Sequence, residues 1–141
     1  MPKYRRPKAG SAGSFRLLFG RAPVHSFGRT QTNPILHDMM PENEVWVNLS
    51  VAGRYGLKSG DRVRLKNQDG VVSLPVKVRA TEAIRGDCVY MVHGFGHTSQ
   101  MLRRALHLGA SDAQLVTRYE TDALMGGTAM NVNFVTLEAE A

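Results

Sequence analysis

Gly56-Leu57-Lys58-Ser59-Gly60-Asp61-Arg62-Val63-Arg64-Leu65-Lys66-Asn67-Gln68-Asp69-Gly70 encodes a turn, a strand and a hairpin in one run. Gly56 stops whatever precedes it, because a glycine tolerates the left-handed conformation that ends a helix. Residues 57–61 form a tight turn in which the Asp61 carboxylate can accept from turn amides. From Arg62 to Lys66 polar and apolar residues alternate strictly, the two-residue period of a half-buried strand, so Val63 and Leu65 point inward. Asp69-Gly70 is a hairpin signal that sends the chain back.

Outward from this unit the same pattern recurs. Residues 71–78 return as the partner strand, with Pro75 marking an edge or a bulge. Upstream, residues 50–55 read as a short helix with Ser50 as N-cap, and residues 44–49 as a half-buried strand. Residues 15–19 are an apolar strand, and residues 35–40 a helical turn closed by Pro41. Downstream, residues 84–87 turn the chain into a buried strand over 88–92. Residues 101–108 read as a short helix closed by Gly109, and 131–137 as the last strand. Many short strands, glycine turns and little helix define a mainly β chain, a small closed barrel of six strands with two or three short helices. Trp46, Val63, Leu65, Val89, Met91 and Val135 are expected to be largely buried. Residues 1–14, rich in Pro, Gly, Ser and basic side chains, read as a flexible lead-in, and residues 15–141 as one domain.

Charge and composition exclude several function classes. The net charge is +6, from 18 Lys+Arg and 12 Asp+Glu. Lys3, Arg5, Arg6, Lys8, Arg16, Arg21 and Arg29 all precede Asp38, the first acidic residue, so the domain body is close to neutral. A basic face for nucleic acid is not indicated, and aromatic residues do not interleave with the basic ones. No apolar run approaches a membrane span, and the basic N-terminus lacks the apolar core of a signal peptide. A single Cys excludes an internal disulfide. Cys88 falls within an apolar strand and reads as a core thiol.

The loop Phe19-Gly20-Arg21-Ala22-Pro23-Val24-His25-Ser26-Phe27-Gly28-Arg29-Thr30-Gln31-Thr32-Asn33 carries the chemistry. Its Gly and Pro residues break regular structure, and loops on a rigid scaffold are where function concentrates. Guanidinium forks suit phosphate oxygens, while hydroxyls, amides and imidazole suit the edges of a heterocycle. The loop is built for a large, anionic ligand with many heteroatoms. No nucleophile–base pair, paired catalytic carboxylates or phosphate-loop lysine motif is legible. His93 and His97 have a spacing that ligates zinc on a helix, but Gly94 and Gly96 argue against a helix there, so no metal ligand is assigned.

The turn–strand–hairpin unit over 56–70 resembles the repeated unit of double-psi β-barrels. Joined to the loop over 19–33, it resembles the C-terminal molybdopterin-dinucleotide-binding domain of the molybdopterin oxidoreductases, the dimethyl sulfoxide reductase superfamily. The likeness runs from Gly20-Arg21 through His25-Ser26 to Arg29-Thr30-Gln31-Thr32-Asn33. It continues through Glu44-Val45-Trp46-Val47-Asn48 with the 56–63 turn, then Ile84-Arg85-Gly86-Asp87 with Val92-His93-Gly94-Phe95-Gly96-His97. It ends in Gly126-Gly127-Thr128-Ala129-Met130-Asn131. The His-Gly-Phe-Gly-His stretch, Gly109-Ala110-Ser111-Asp112 and Pro23-Val24-His25-Ser26 are most similar to the thiosulfate and polysulfide reductase branch. Leu49 departs from relatives that place Pro after the strand Asn, which affects a turn more than a site.

The resemblance implies a bis-molybdopterin guanine dinucleotide cofactor carrying Mo or W in the full-length enzyme. It places Arg21, His25, Ser26, Arg29, Thr30 and Thr32 on one cofactor loop, Gly94, Gly96 and His97 on a second, and Asn131 and Asn133 on a third segment. In the family the metal ligand and iron–sulfur cysteines come from upstream domains, so this chain alone is expected to be inactive and to carry no bound cofactor. Expected partners are those upstream domains, an iron–sulfur electron-transfer subunit and a membrane subunit, with the parent enzyme in the periplasm or cell envelope. Two other readings stand beside this one. The first is a separate small subunit that acts in trans. The second is an unrelated double-psi barrel enzyme such as an aspartate decarboxylase, self-cleaving at Gly10-Ser11 or Gly13-Ser14, which intact mass would reveal.

Overall fold

Alternation in the sequence becomes a closed wall of strands in the computed structural model, which describes residues 8–140. The strands are β1 (Phe15–Gly20), β2 (Glu44–Asn48), β3 (Arg62–Asn67), β4 (Val76–Thr81), β5 (Cys88–Val92), β6 (Glu120–Thr121), β7 (Thr128–Ala129) and β8 (Phe134–Ala139). Six of them close into a barrel in the order β1-β5-β2-β4-β3-β8, while β6 and β7 form a separate ribbon. β1 runs parallel to β5 and β2 parallel to β4, and the remaining barrel pairs are antiparallel. The inward members of each strand, Leu17, Val45, Val47, Val63, Leu65, Val76, Val78, Val89, Met91 and Val135, form one buried cluster. β-branched residues dominate it, as a narrow barrel interior favours.

Two helices, α1 (Pro34–Met39) and α2 (Leu49–Arg54), are each begun by an asparagine. Asn33 Oδ1 accepts from the Ile35 and Leu36 amides at 3.0 and 3.2 Å, and Pro34 supplies the first helical residue. Asn48 caps α2 by accepting from the Ser50 amide at 3.0 Å. Ser50 is thus the second helical residue and not the cap, and its hydroxyl also turns to Asn48 Oδ1. Asp61 accepts from the Lys58 amide at 2.7 Å, the turn role its sequence position predicts.

The strand directions set the site. β1, β3 and β5 run one way, while β2, β4 and β8 run the other. The connections 21–43, 68–75 and 93–133 therefore all leave the same end of the barrel. The opposite end carries the shorter links 49–61 and 82–87.

Beyond the Ser50 cap, four more expectations need correction. Trp46 is half-buried on the outer face, because Val45 and Val47 take the inward positions and the period of two sends Trp46 out. There its ring lies 5.1 Å from that of Tyr90 and 4.7 Å beneath the Arg79 guanidinium. Residues 101–108 form turns and no helix, since Leu106 bridges to His97 and the His107 amide donates to the His97 carbonyl at 2.8 Å. His107 itself sits at φ 56°, outside any right-handed helix. The return strand begins at Val76 and not at Val71. Val72 makes a lone bridge to Lys66, and Ser73 Oγ accepts from the Leu65 amide at 3.0 Å in place of the ladder. The last strand starts at Phe134, three residues late, because Asn133 folds into the turn before it. Of the expected lead-in, residues 1–7 lie outside the described residues. Farther along it, Lys8 pairs with Glu120 at 2.7 Å and Gly10 packs against the Phe134 ring.

Candidate functional site

The connection after β1 is organised by one buried imidazole. His25 Nε2 donates to the Met40 carbonyl at 2.8 Å. A carbonyl only accepts, so Nε2 carries the proton and Nδ1 accepts from the Thr30 hydroxyl at 3.2 Å. Thr30 Oγ1 in turn accepts from the Ser26 amide at 2.9 Å, so each hydrogen in this chain has one place to go. The His25 ring also meets Phe95 edge-on at 5.6 Å. His25 and Thr30 are consumed internally and hold the loop's shape. Arg21, Ser26, Arg29 and Thr32 are exposed. Arg29 donates to Ser26 Oγ at 3.3 Å, and the Arg21 guanidinium lies 4.7 Å over the Phe27 ring. Among the described residues neither arginine is paired with a carboxylate.

The loops after the parallel strands β1 and β5 meet backbone to backbone. Phe27 is held at φ 54°, a conformation that costs an L-residue on the order of 1–2 kcal/mol. Gly94, at φ 97°, lies so close that a side chain there would come within 2.7 Å of the Gly28 nitrogen. Gln31 seals the contact. It is 2% exposed, and its Nε2 donates to the Gly94 carbonyl at 2.6 Å while its Oε1 is buried without a partner. Gly96, at φ 75°, is packed on the 110–111 backbone, where an added Cβ would lie 2.4 Å from the Ser111 nitrogen. His97 lies against Gly28, and its Nε2 is buried without a partner.

These residues frame a groove of about 350 Å³ lined by Gly28, the 93–99 loop and Ser111 to Ala113. Asp112, 1% exposed, holds His93 Nδ1 at 2.8 and 3.0 Å. Burial pushes the Tyr90 phenol up, and the Asp112 charge adds to the shift. Asn43, fully buried, donates to the Val92 and Ala110 carbonyls at 2.7 and 2.9 Å and accepts from the Ala110 amide at 2.9 Å, pinning this loop to the barrel.

The third predicted segment divides. Asn133 is fully buried: its Oδ1 accepts from Gln68 Nε2 and the Thr117 and Arg118 amides at 3.0, 3.1 and 2.9 Å. Its Nδ2 donates to the Arg118 and Met130 carbonyls at 2.7 and 2.8 Å. Every hydrogen-bonding atom of that side chain is used within the chain. Asn131 is exposed and lines a separate, larger cavity of about 710 Å³ with Lys8, Arg16, Gln68, Arg118 and Phe134. Its carbonyl accepts from the Arg16 guanidinium, which also lies 4.7 Å over Phe134. The groove and this cavity share no lining residue. Gly94, Gly96 and His97 thus come together with Gly28, while Asn131 stands apart.

Sequence reading missed Gln31, Asn43, His93 and Asp112 as members of the site. Gln31 lay within the quoted loop, and its amide between two hydroxyl residues was the one available signal. The roles of Asn43 and Asp112 arise from contacts across 49 and 19 residues, which no local pattern records. Cys88 is buried as expected. Among the described residues no three His, Cys, Asp or Glu side chains gather as a metal site.

A closed six-strand barrel thus presents polar loops and a glycine-framed groove at one end. Residues 15–138 match the model of the molydopterin dinucleotide binding domain, and the chain belongs to that family. It is 32% identical over 96 residues to the thiosulfate reductase molybdopterin-containing subunit of Salmonella typhimurium, covering 68% of this chain and 12% of that protein. It is 28% identical over 157 aligned positions to the arsenate respiratory reductase molybdopterin-containing subunit of Chrysiogenes arsenatis, covering 99% and 18%. Among solved structures, acetylene hydratase from Pelobacter acetylenicus shares the fold, with a TM-score of 0.68 at 16% identity, covering 99% of this chain and 21% of that one. The chain thus spans less than a quarter of the length of each of these proteins. The family is that of molybdopterin oxidoreductases, whose full-length members hold molybdopterin guanine dinucleotide with Mo or W.

Proposed function

We propose that this chain is the domain that caps the paired dinucleotides in a thiosulfate or polysulfide reductase, working within a longer catalytic polypeptide and inactive alone. The observation that carries this reading is the convergence, at one barrel end, of a glycine-framed groove and two arginines that have no carboxylate partner among the described residues. Arg21 and Arg29, with Ser26 and Thr32, would bind diphosphate oxygens, since guanidinium forks and hydroxyls are the donors that such oxygens take. His25 and Thr30 position the loop that carries those donors, and Asn133 fixes the backbone at 117–118 and 130. Gly94 and Gly96 keep the groove open, and His97 lines it. Asn131 would meet the ligand from the second cavity. When bound, the cofactor supplies a Mo or W centre able to exchange electron pairs with a substrate. Support for the sulfur substrate is the relative whose name is thiosulfate reductase and the His-Gly-Phe-Gly-His loop. An iron–sulfur subunit, a membrane subunit and a periplasmic or envelope location belong to the same proposal.

The test is made in the full-length parent. A charge-assisted contact is worth about 1.5–3 kcal/mol, so Arg21→Ala with Arg29→Ala should lower retained cofactor about ten- to a hundredfold. In the isolated 141-residue chain the double variant should keep its melting temperature within about 4 °C, as two exposed loop changes cost about 0.5 kcal/mol each. Unchanged cofactor content would remove these arginines from the site. Parallel assays with reduced viologen and thiosulfate, polysulfide or arsenate decide the substrate; activity on arsenate alone overturns the sulfur assignment.

A further inference from the structure

From Thr117 to Asn131 every residue is exposed, yet the segment is ordered by its own bonds. β6 and β7 pair Glu120 with Ala129 and Thr121 with Thr128. At the tip the Asp122 amide donates to the Gly127 carbonyl at 2.8 Å, and the Gly126 amide to the Asp122 carbonyl at 3.0 Å. Asp122 Oδ1 accepts from the Leu124 and Met125 amides at 3.0 and 2.7 Å. This turn holds out Leu124 and Met125, which are 92% and 89% exposed. Tyr119 and Met130, at the root of the ribbon, are exposed as well. Two adjacent apolar side chains held in water by a fixed turn mark a contact surface, because a preformed shape loses little entropy on docking.

The charges of this arm are engaged within the chain. Arg118 pairs with Asp69, Glu120 pairs with Lys8 at 2.7 Å, and Asp122 caps the turn. What the tip offers a neighbour is therefore apolar, and its complement is an apolar socket. The root of the arm is tied to the segment before β1. Arg16 donates to the carbonyls of both Lys8 and Asn131 and lies 4.7 Å over the Phe134 ring, against which Gly10 also packs. The route by which any preceding polypeptide reaches β1 thus passes the root of the arm. A second copy of this chain is a poorer host for the tip. The cavity of about 710 Å³ beside the root carries Lys8, Arg16, Arg118 and Glu120, charges from which an apolar tip would strip water.

We propose that residues 117–131 are a docking arm whose Leu124–Met125 tip seats in an apolar socket on the preceding part of the same longer polypeptide. Arg16, by bonding the lead-in and the arm together, sets the direction in which the arm leaves the barrel. The proposal rests on reading the chain as a domain within a longer catalytic polypeptide, which its 12% and 18% shares of two relatives support. It adds the part of this chain that meets its neighbour and the chemistry of the meeting.

The experiment follows sulfoxide formation at Met125 under dilute peroxide, by peptide mass spectrometry, since methionine oxidation tracks exposure. It compares the 141-residue chain with the full-length catalytic polypeptide purified without other subunits. In the 141-residue chain Met125 and Met101, both 89% exposed, should oxidise at equal rates. In the full-length polypeptide Met125 should oxidise at least about tenfold more slowly. Leu124→Asp keeps Met125 as the reporter and puts a charge into the socket. It should return Met125 in the full-length polypeptide to within about threefold of its rate in the 141-residue chain. The same substitution in the 141-residue chain should leave the melting temperature unchanged, which shows that the variant folds. Equal Met125 rates in the two unmodified proteins overturn the proposal. So does protection that survives Leu124→Asp, or that arises only when other subunits are added. A dimer of the 141-residue chain in sedimentation, lost with Leu124→Asp, gives the tip to a second copy and overturns it too. The capping reading is scored separately by cofactor retention in the Arg21→Ala, Arg29→Ala parent. An unprotected Met125 beside lost cofactor sinks the docking arm and leaves the cap; a protected Met125 beside retained cofactor does the reverse.

Discussion

Replacing Asn133 by alanine removes five hydrogen bonds from a residue with no exposed surface. Four of them serve backbone groups: the Thr117 and Arg118 amides and the Arg118 and Met130 carbonyls. A buried backbone group left without a partner costs about 1–3 kcal/mol. Thr117 and Arg118 are exposed residues, so water can reach part of this set and soften the loss. The net cost should be about 3 kcal/mol, and at this chain length each kcal/mol lowers the melting temperature by about 2–4 °C. N133A should therefore melt about 10 °C below the parent chain in circular dichroism, with an unchanged urea m-value. N133D keeps the acceptor oxygen but turns a second carboxylate oxygen toward two carbonyls, so it should fare no better. The pair of variants separates a structural asparagine from one that meets the cofactor. Melting within 1 °C of the parent for N133A, together with lost cofactor in the full-length enzyme, would show that the side chain serves the ligand and not the fold.

Gly96→Ala places a Cβ 2.4 Å from the Ser111 nitrogen at φ 75°, and should cost about 2–4 kcal/mol in a urea titration. Gly56→Ala, at φ 67° with open space around it, should cost only about 1 kcal/mol, so equal losses at the two sites would show that packing at Gly96 is not tight. Asp69 is held down to about 2 by its bonds to the Arg118 guanidinium and then to Thr117. Its folded value lies below its unfolded one, so its contribution is present above about pH 4 and is lost as pH falls through 2. D69N should flatten that acid limb, and a carboxyl carbon titration with an ordinary midpoint would contradict it. Burial pushes the Cys88 thiol up, with the Asp87 charge adding to it, so native protein at pH 7.5 should react with iodoacetamide far more slowly than urea-unfolded protein. Equal rates would place that thiol at the surface.

The barrel was legible because its code is local. Val63 and Leu65 announce an inward face by alternation alone, and Gly56, Asp61 and Asp69-Gly70 announce turns by their own conformational preferences. Where the reading failed, a distant contact had outweighed a local preference. Residues 101–108 have helical composition, yet the bridge from Leu106 to His97 holds them in turns. Trp46 looks like core, yet its neighbours Val45 and Val47 own the interior. The polar site was harder for a related reason. Arg21 and Arg29 stand out by charge in a broken segment, whereas Gln31 matters because a carbonyl 63 residues away lies opposite it. His25 and Asn133 were visible as polar residues, but the sequence holds no sign that their own chain saturates them.

A barrel closed by six strands leaves none of them as a free edge. An open sheet can join another protein by lending a strand edge, the commonest way for β-rich chains to associate and to aggregate. Among the described residues that option is confined to the two-residue strands of the β6–β7 ribbon, whose tip exposes Leu124 and Met125 almost completely. Under the proposed function, union with a longer polypeptide would run through side chains and loop tips, where recognition is set by residue chemistry and not by generic strand pairing. Loop side chains, and not strand edges, are thus what the closed barrel offers to a neighbouring protein surface.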